Sequence, residues 1–176
     1  MTDSGDRILI GNERDQISRF RARVLFFVPL AAILFQVYVP RFFDFLSFLE
    51  LPLLVTIYFA LMRRSQIGGL MVGAIIGLAQ DSLSKNPLGM YGIVKTLVGY
   101  FAASVGLSID VEHPFVRLVL TFFFYAFHQA MYWVLSRGLL GAQVPFELQR
   151  TVVMGLLNAI VGVTLFHFLD KLREPA

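Results

Sequence analysis

The sequence predicts an all-α membrane protein with about six transmembrane helices. Hydrophobic residues make up 57% of the 176 residues and charged residues only 15%, and the mean hydropathy is +0.70. Soluble domains usually contain about one quarter charged residues. A soluble chain of this length could not bury so much apolar surface, whereas lipid removes the need to bury it.

Six apolar segments are candidate membrane spans, because a helix needs roughly 20 mostly apolar residues to cross a bilayer. In chain order they are Val24–Val39, Phe45–Met62, Ile67–Gln80, Leu88–Ile109, Phe115–Leu135 and Thr151–Leu169. The third segment is short and glycine-rich, which makes it the weakest candidate. Since the connecting loops are short, residues 24–170 are predicted to form a single six-helix transmembrane domain.

The basic residues predict the orientation of these spans. Five of the fifteen lysines and arginines lie in residues 1–23, next to the first apolar run. This position favours a cytoplasmic segment facing anionic lipid over a nucleic-acid site. If the N-terminus lies inside, ten basic residues face the cytoplasm and four face outward. The chain is therefore predicted to be N-in and C-in, with residues 171–176 as a cytoplasmic tail.

No pattern in the sequence indicates catalysis. The chain contains no cysteine, which excludes disulfides and thiolate metal sites. It also lacks the motifs of zinc proteases, α/β-hydrolases and P-loop enzymes. We therefore expect a protein that is not an enzyme and that holds no cofactor or metal.

Several polar residues fall in or beside the predicted spans, where each needs a partner. Lys95, His128 and Asn158 are predicted about 10 Å below the outer surface, with Glu50 and Asp81 nearer to it. Together they are predicted to form one polar layer. This layer could be internal pairing, with Asp81 or Glu50 neutralising Lys95. It could also be an outward-facing ligand pocket, a proton or ion relay, or a catalytic site that uses His128.

Two further features are candidate contact surfaces. In the third span, Gly69, Gly73 and Gly77 recur every fourth residue and predict a flat groove for the close approach of another helix. That helix could belong to this chain or to a partner. Near the outer interface, an aromatic cluster indicates an interfacial belt or a docking patch. Its members are Phe42, Phe43, Phe45 and Phe48.

A composite motif covers the second to fourth spans. It consists of Pro52 with the apolar run through Tyr58-Phe-Ala-Leu61, then Arg64, the glycines of Gly68–Gly77, Gly77-Leu-Ala-Gln-Asp81, Pro87-Leu-Gly89-Met-Tyr-Gly92, and Lys95-Thr-Leu-Val-Gly99-Tyr100. With this motif, residues 51–105 resemble the rod shape-determining protein MreD family. There is one departure: family members often carry an acid directly after the proline of the second span. Here Leu53 stands in that place, and the nearest acid is Glu50.

The resemblance implies a non-catalytic component of the bacterial cell-elongation machinery in the inner membrane. Such a protein binds MreC and helps to organise peptidoglycan synthesis and rod shape. Through MreC it connects to MreB and to RodA with its class B penicillin-binding protein. The implied fold is similar to that of the substrate-binding subunits of energy-coupling-factor transporters. The alternative function is therefore a vitamin-type binding subunit, with a pocket lined by Glu50, Lys95, His128 and Asn158.

The resemblance also assigns expected roles to parts of the chain. The helix of MreC is expected to contact the glycine face of the third span and the aromatic cluster. The turn between the third and fourth spans is expected to be fixed by Asp81, Pro87, Gly89 and Lys95. Proline and glycine suit such a turn, since proline presets one backbone angle and glycine permits positive φ.

Overall fold

The protein is an all-α bundle, seen in a computed structural model that describes residues 20–84, 87–143 and 145–173. Its helices are α1 Ala22–Tyr38, α2 Leu51–Arg63, α3 Gln66–Leu83, α4 Met90–Ser108, α5 Pro114–Leu140 and α6 Leu148–Asp170. Two 3-10 turns, Val39–Arg41 and Asp44–Phe48, connect α1 to α2. Within these described residues, six spans are long and apolar enough to cross a membrane, with Asp44–Arg63 counted as one. The predicted fold class is confirmed.

Helix α2 is the centre of the bundle. Every residue from Pro52 to Met62 is buried. All five other helices pack against α2. A helix that is apolar on every side is stable when other helices surround it. The hydrophobic core of the protein is therefore formed by α2 and the helix faces that pack against it.

The second span differs from its prediction, because the α-helix begins at Leu51 and not at Phe45. Leu49 is extended, and Glu50 has non-helical angles of φ −105° and ψ 62°. Pro52 lacks an N–H and fits best in the first turn of a helix, so it favours a helix start here. The resulting 13 residues of α2 extend about 20 Å, less than the roughly 30 Å of a hydrocarbon core. We call the end of the bundle at which α2 begins the Glu50 end.

The other helix ends lie close to the predicted ones, with local reasons for each shift. The weakest candidate, the third span, is a full helix of 18 residues, and the Ser65 side chain caps it by accepting from the amide of Gly68. Helix α5 continues to Leu140, where Gly141 ends it with a φ of 62°. Helix α6 begins three residues before its predicted start.

The glycine face of α3 packs against α4. A methyl group added at Gly69, Gly73 or Gly77 would overlap a backbone carbonyl oxygen of α4. The three oxygens belong to Gly99, Lys95 and Tyr91, respectively. The two backbones approach so closely that only glycine fits between them. The face expected to receive MreC is therefore occupied within the chain, and no partner helix can reach it while α3 and α4 remain packed.

The first and last described residues of the chain lie together at the end of the bundle opposite Glu50. We call this end the Asp170 end. Phe20 and Arg173 form an isolated antiparallel bridge. Asp170 forms ion pairs with Arg117, at 2.5 Å, and with Arg173, at 2.6 Å. The Tyr58 hydroxyl also donates to Asp170, at 2.9 Å. An even number of spans is consistent with Phe20 and Arg173, the first and last described residues, lying on one side. Most of the predicted N-terminal segment, residues 1–19, and residues 174–176 of the tail lie outside the described residues.

We expect Gly73→Ala to lower the free energy of unfolding, because its methyl group would overlap the α4 backbone. Overpacking of this kind typically costs about 1–3 kcal/mol. Gly138→Ala is the matched control, since a methyl group at this helical glycine would meet nothing within 4 Å. Melting of the purified variants in one detergent compares them. Equal melting temperatures would contradict the observed α3–α4 contact.

Candidate functional site

A buried ion pair lies at the Glu50 end. Glu50, at the start of α2, places its Oε2 3.9 Å from Nζ of Lys95 on α4. The Lys95 side chain is fully buried, whereas that of Glu50 is 14% exposed. Nζ of Lys95 also lies 4.3 Å from the centroid of the Tyr91 ring, a favourable cation–π position. Of the two acids predicted to neutralise Lys95, Glu50 is the one that forms the ion pair.

Asp81 is engaged by the backbone of the next helix. Its carboxylate accepts hydrogen bonds from the amides of Gly89, Tyr91 and Gly92, at 3.0, 3.2 and 2.9 Å. A carboxylate is stabilised at this place, because the first amides of α4 have no helical partner and carry a partial positive charge. Among the described contacts, no ion pair joins Asp81 to Lys95. Asp81 therefore links the end of α3 to the start of α4.

Three of the four residues expected to fix the turn between α3 and α4 lie there, namely Asp81, Pro87 and Gly89, whereas Lys95 pairs with Glu50. Gly89 adopts a φ of 96°, which is available to glycine at little cost. The carbonyl of Pro87 accepts from the amide of Met90, at 3.4 Å. Lys85 and Asn86 lie outside the described residues. The hydrogen bonds to Asp81 and the angle at Gly89 together hold α4 against α3.

Asn158 on α6 holds the non-helical backbone before α2. Its Oδ1 accepts from the amide of Glu50, at 2.8 Å, and its Nδ2 donates to the carbonyl of Phe48, at 2.8 Å. Gln36 of α1, which sequence reasoning missed, accepts from the amide of Leu51, at 3.3 Å. Backbone polar groups within a membrane must find partners inside the protein. Asn158 and Gln36 supply these partners from two other helices.

His128 packs against the same cluster. Its ring is fully buried and lies parallel to that of Tyr91, with the centroids 5.8 Å apart. Neither ring nitrogen has a hydrogen-bond partner among the described residues. General acid–base catalysis would need such a partner to orient the ring. The geometry therefore supports a packing role for His128.

A cavity of about 510 Å³ lies directly beside Glu50. Parts of α4, α5 and α6, the turn Asp44–Phe48 and the segment before α6 line it, and it is open on one side. Its aromatic lining consists of Phe48, Tyr91, Tyr125, Tyr132, Trp133 and Phe146. Its polar lining includes Glu50, Gln129, Glu147, Arg150 and Thr151. The predicted pocket shares only Glu50 with this cavity, because Lys95, His128 and Asn158 lie behind the lining.

The predicted aromatic cluster divides into two parts. Phe42, Phe43 and Phe45 are exposed, Phe42 at 81%. Phe48 is half-buried and lines the cavity, and the guanidinium carbon of Arg150 lies 5.8 Å from its ring centroid. Three of the four phenylalanines are therefore free to meet lipid or another protein.

Sequence reasoning also missed the charged network at the Asp170 end. Arg117 donates to the carbonyl of Val111 as well as to Asp170. Burial would lower the pKa of Arg173, but the Tyr58 hydroxyl and the carboxylates of Asp170 and Glu112 raise it above its usual value. One signal was present in the sequence. Arg117 follows the start of one span and Asp170 ends another, so both were predicted at the same membrane face.

The sequence matches a protein-family model over most of its length. The family model described as rod shape-determining protein MreD matches residues 17–173, which include all six helices. Comparisons with curated proteins and with solved structures find no match.

Double-mutant cycles distinguish the two acids near Lys95. We expect Glu50→Gln and Lys95→Met each to lower the free energy of unfolding, because each leaves one buried charge unpaired. In soluble proteins a broken buried pair costs about 3–5 kcal/mol. The double variant is expected to lose less than the sum of the single losses. The losses of Asp81→Asn and Lys95→Met are expected to add.

Unfolding by SDS titration in mixed micelles measures all of these variants on one scale. Additive losses for Glu50 and Lys95, or strong coupling between Asp81 and Lys95, would reverse the assignment of the ion pair.

Proposed function

Because this chain belongs to the MreD family of rod shape-determining proteins, we propose that it is a non-catalytic component of the bacterial cell-elongation machinery. It resides in the inner membrane, binds MreC and helps to organise peptidoglycan synthesis. The family match over residues 17–173 carries this proposal. Through MreC, the protein connects to MreB and to RodA with its class B penicillin-binding protein.

The distribution of polar groups supports a role in protein contact. The charged side chains within the bundle pair with one another or with the backbone, as Glu50, Lys95 and Asp81 do. The described loops between the helices are short. The surface that remains for a partner with a membrane helix is therefore the apolar outer face of the bundle.

Helix α1 offers the most of this surface. Only 17% of its span is buried, the lowest share among the six spans. Its buried positions are Pro29, Ala32 and Ile33. Along its outer side, large apolar side chains recur every fourth residue and continue into the following turn. They are Leu30, Leu34, Tyr38 and Phe42. We call this set the α1 stripe.

The helix of MreC is proposed to pack along the α1 stripe, next to Phe43 and Phe45. Side chains four residues apart lie on one side of a helix, so the stripe is a continuous ridge. Association of helices in lipid depends on such packing, since lipid tails are as apolar as leucine. This surface replaces the glycine face, which α4 already covers.

Cysteine cross-linking tests the contact cleanly, because the native chain contains no cysteine. We expect Leu34→Cys, in the α1 stripe, to form a disulfide with a cysteine placed in the helix of MreC. Ile160→Cys is the matched control: this residue of α6 is at least as exposed as Leu34 but lies on another helix. Oxidation of membranes that contain both proteins, followed by non-reducing electrophoresis, reports the product.

Cross-linking through Ile160→Cys alone would contradict the α1 stripe as the contact. Failure of the two native proteins to co-purify in a mild detergent would contradict the MreC contact itself.

We expect His128→Phe to sustain rod shape, because phenylalanine can keep the parallel packing on Tyr91 and the ring nitrogens have no hydrogen-bond partner in the described part of the chain. Cells depleted of their own copy would carry the variant, and cell width and length would be measured by microscopy. Gly73→Leu is the expected non-functional control, because it separates α3 from α4. Rounded cells with a normal amount of the His128→Phe protein would show that the imidazole has a chemical role.

A further inference from the structure

We propose that the cavity at the Glu50 end binds a neutral, hydroxyl-rich group with the chemistry of a sugar ring. This site is separate from the α1 stripe and goes beyond the contact with MreC. The volume of about 510 Å³ falls within the range of about 300–1,000 Å³ typical of ligand sites.

The charges at the cavity indicate a neutral ligand. Its two carboxylates are each balanced by a cation: Glu50 by Lys95, at 3.9 Å, and Glu147 by Arg150, at 3.3 Å. A ligand with a single charge would therefore gain no net attraction, and it would meet one like charge in each pair. A ligand that both donates and accepts hydrogen bonds can use both pairs without this repulsion.

The hydrogen-bonding groups at the base of the cavity favour hydroxyls. Glu50 lines the cavity with a carboxylate side chain that is 14% exposed, and its inner oxygen, Oε2, accepts no hydrogen bond from the described residues. Its distance of 3.9 Å from Nζ of Lys95 is beyond hydrogen-bond length. The Tyr125 hydroxyl accepts from Nε2 of Gln129, at 2.9 Å, and keeps its own proton to donate. A hydroxyl can donate to the carboxylate and accept from the tyrosine at the same time.

The walls of the cavity supply aromatic side chains beside these polar groups, and contacts between the rings hold these side chains in place. Tyr132 stacks on Tyr91 with ring centroids 5.1 Å apart, and Trp133 meets Phe146 edge-on at 5.6 Å. Tyrosine and tryptophan combine a large apolar face with a polar edge. A sugar ring has the complementary form, with C–H groups on its faces and hydroxyls at its rim.

The first experiment compares lipids that differ only in their headgroups. The purified protein in nanodiscs would be offered monoglucosyl diacylglycerol, phosphatidylethanolamine and phosphatidylglycerol with the same acyl chains, and native mass spectrometry would count bound lipids. A polyoxyethylene detergent is required for purification, because glycoside detergents carry the proposed ligand group. We expect retention of the glucolipid over the other two by about tenfold, which corresponds to about 1.4 kcal/mol.

Two variants test whether the retained lipid occupies the cavity. Gln129→Leu and Trp133→Leu each remove one lining group and leave the Glu50–Lys95 pair intact. Both are expected to reduce glucolipid binding about tenfold. Phe123→Leu is the control, since Phe123 is an exposed aromatic residue of the same helix that does not line the cavity. Melting temperatures verify that all three variants fold.

The results separate lipid-linked from free ligands. Competition by methyl β-glucoside would uphold the proposal and show that the sugar alone is recognised. Glucolipid binding without such competition would uphold it for a lipid-linked sugar. Equal retention of all three lipids, preference for a charged or zwitterionic headgroup, or binding unaffected by Gln129→Leu and Trp133→Leu would overturn it.

Discussion

The complete enclosure of α2 is the constraint on which the rest of the structure depends. A helix with no side facing lipid needs neighbours all around it, and five helices supply them. Because Pro52 to Met62 are all buried, the polar groups along and before α2 need partners from those neighbours. Asn158 and Gln36 meet the backbone at its start, and Asp170 meets Tyr58 on the Asp170 side.

The shortness of α2 explains why a break in the helical backbone and a cavity lie together at the Glu50 end of the bundle. A helix of 13 residues leaves about 10 Å of a hydrocarbon core to be crossed by other structure. Non-helical backbone is tolerated at that depth only where protein or a cavity surrounds it. Here Phe48 and Glu50, which lie outside the α-helices, are hydrogen-bonded to Asn158 and line the cavity, whereas the earlier part of the turn Asp44–Phe48 is exposed.

Sequence reasoning found the helices because lipid dictates their length and composition. It could not identify α2 as central, since lipid and a protein interior both favour apolar residues and the runs of α1 and α2 look alike. It anticipated the close helix contact at Gly73 but could not tell an internal helix from a partner's. It left Glu50 and Asp81 as equal candidates for Lys95, because the choice depends on side-chain direction and on the break at Glu50. The cavity could not be predicted for the same reason, because its shape depends on the directions in which the side chains point.

The bridge between Phe20 and Arg173 brings the first and last described residues together, so the described chain runs around the bundle as a nearly closed ring. Helix order around α2 does not depend on where that ring is cut, because each helix is held by lateral contacts and by the network at Asp170. A circular permutant that joins these two residues through a short linker and opens in the loop between Gly141 and Glu147 would keep every helix pair. Its new ends would emerge beside the cavity, at the end of the bundle opposite Phe20 and Arg173.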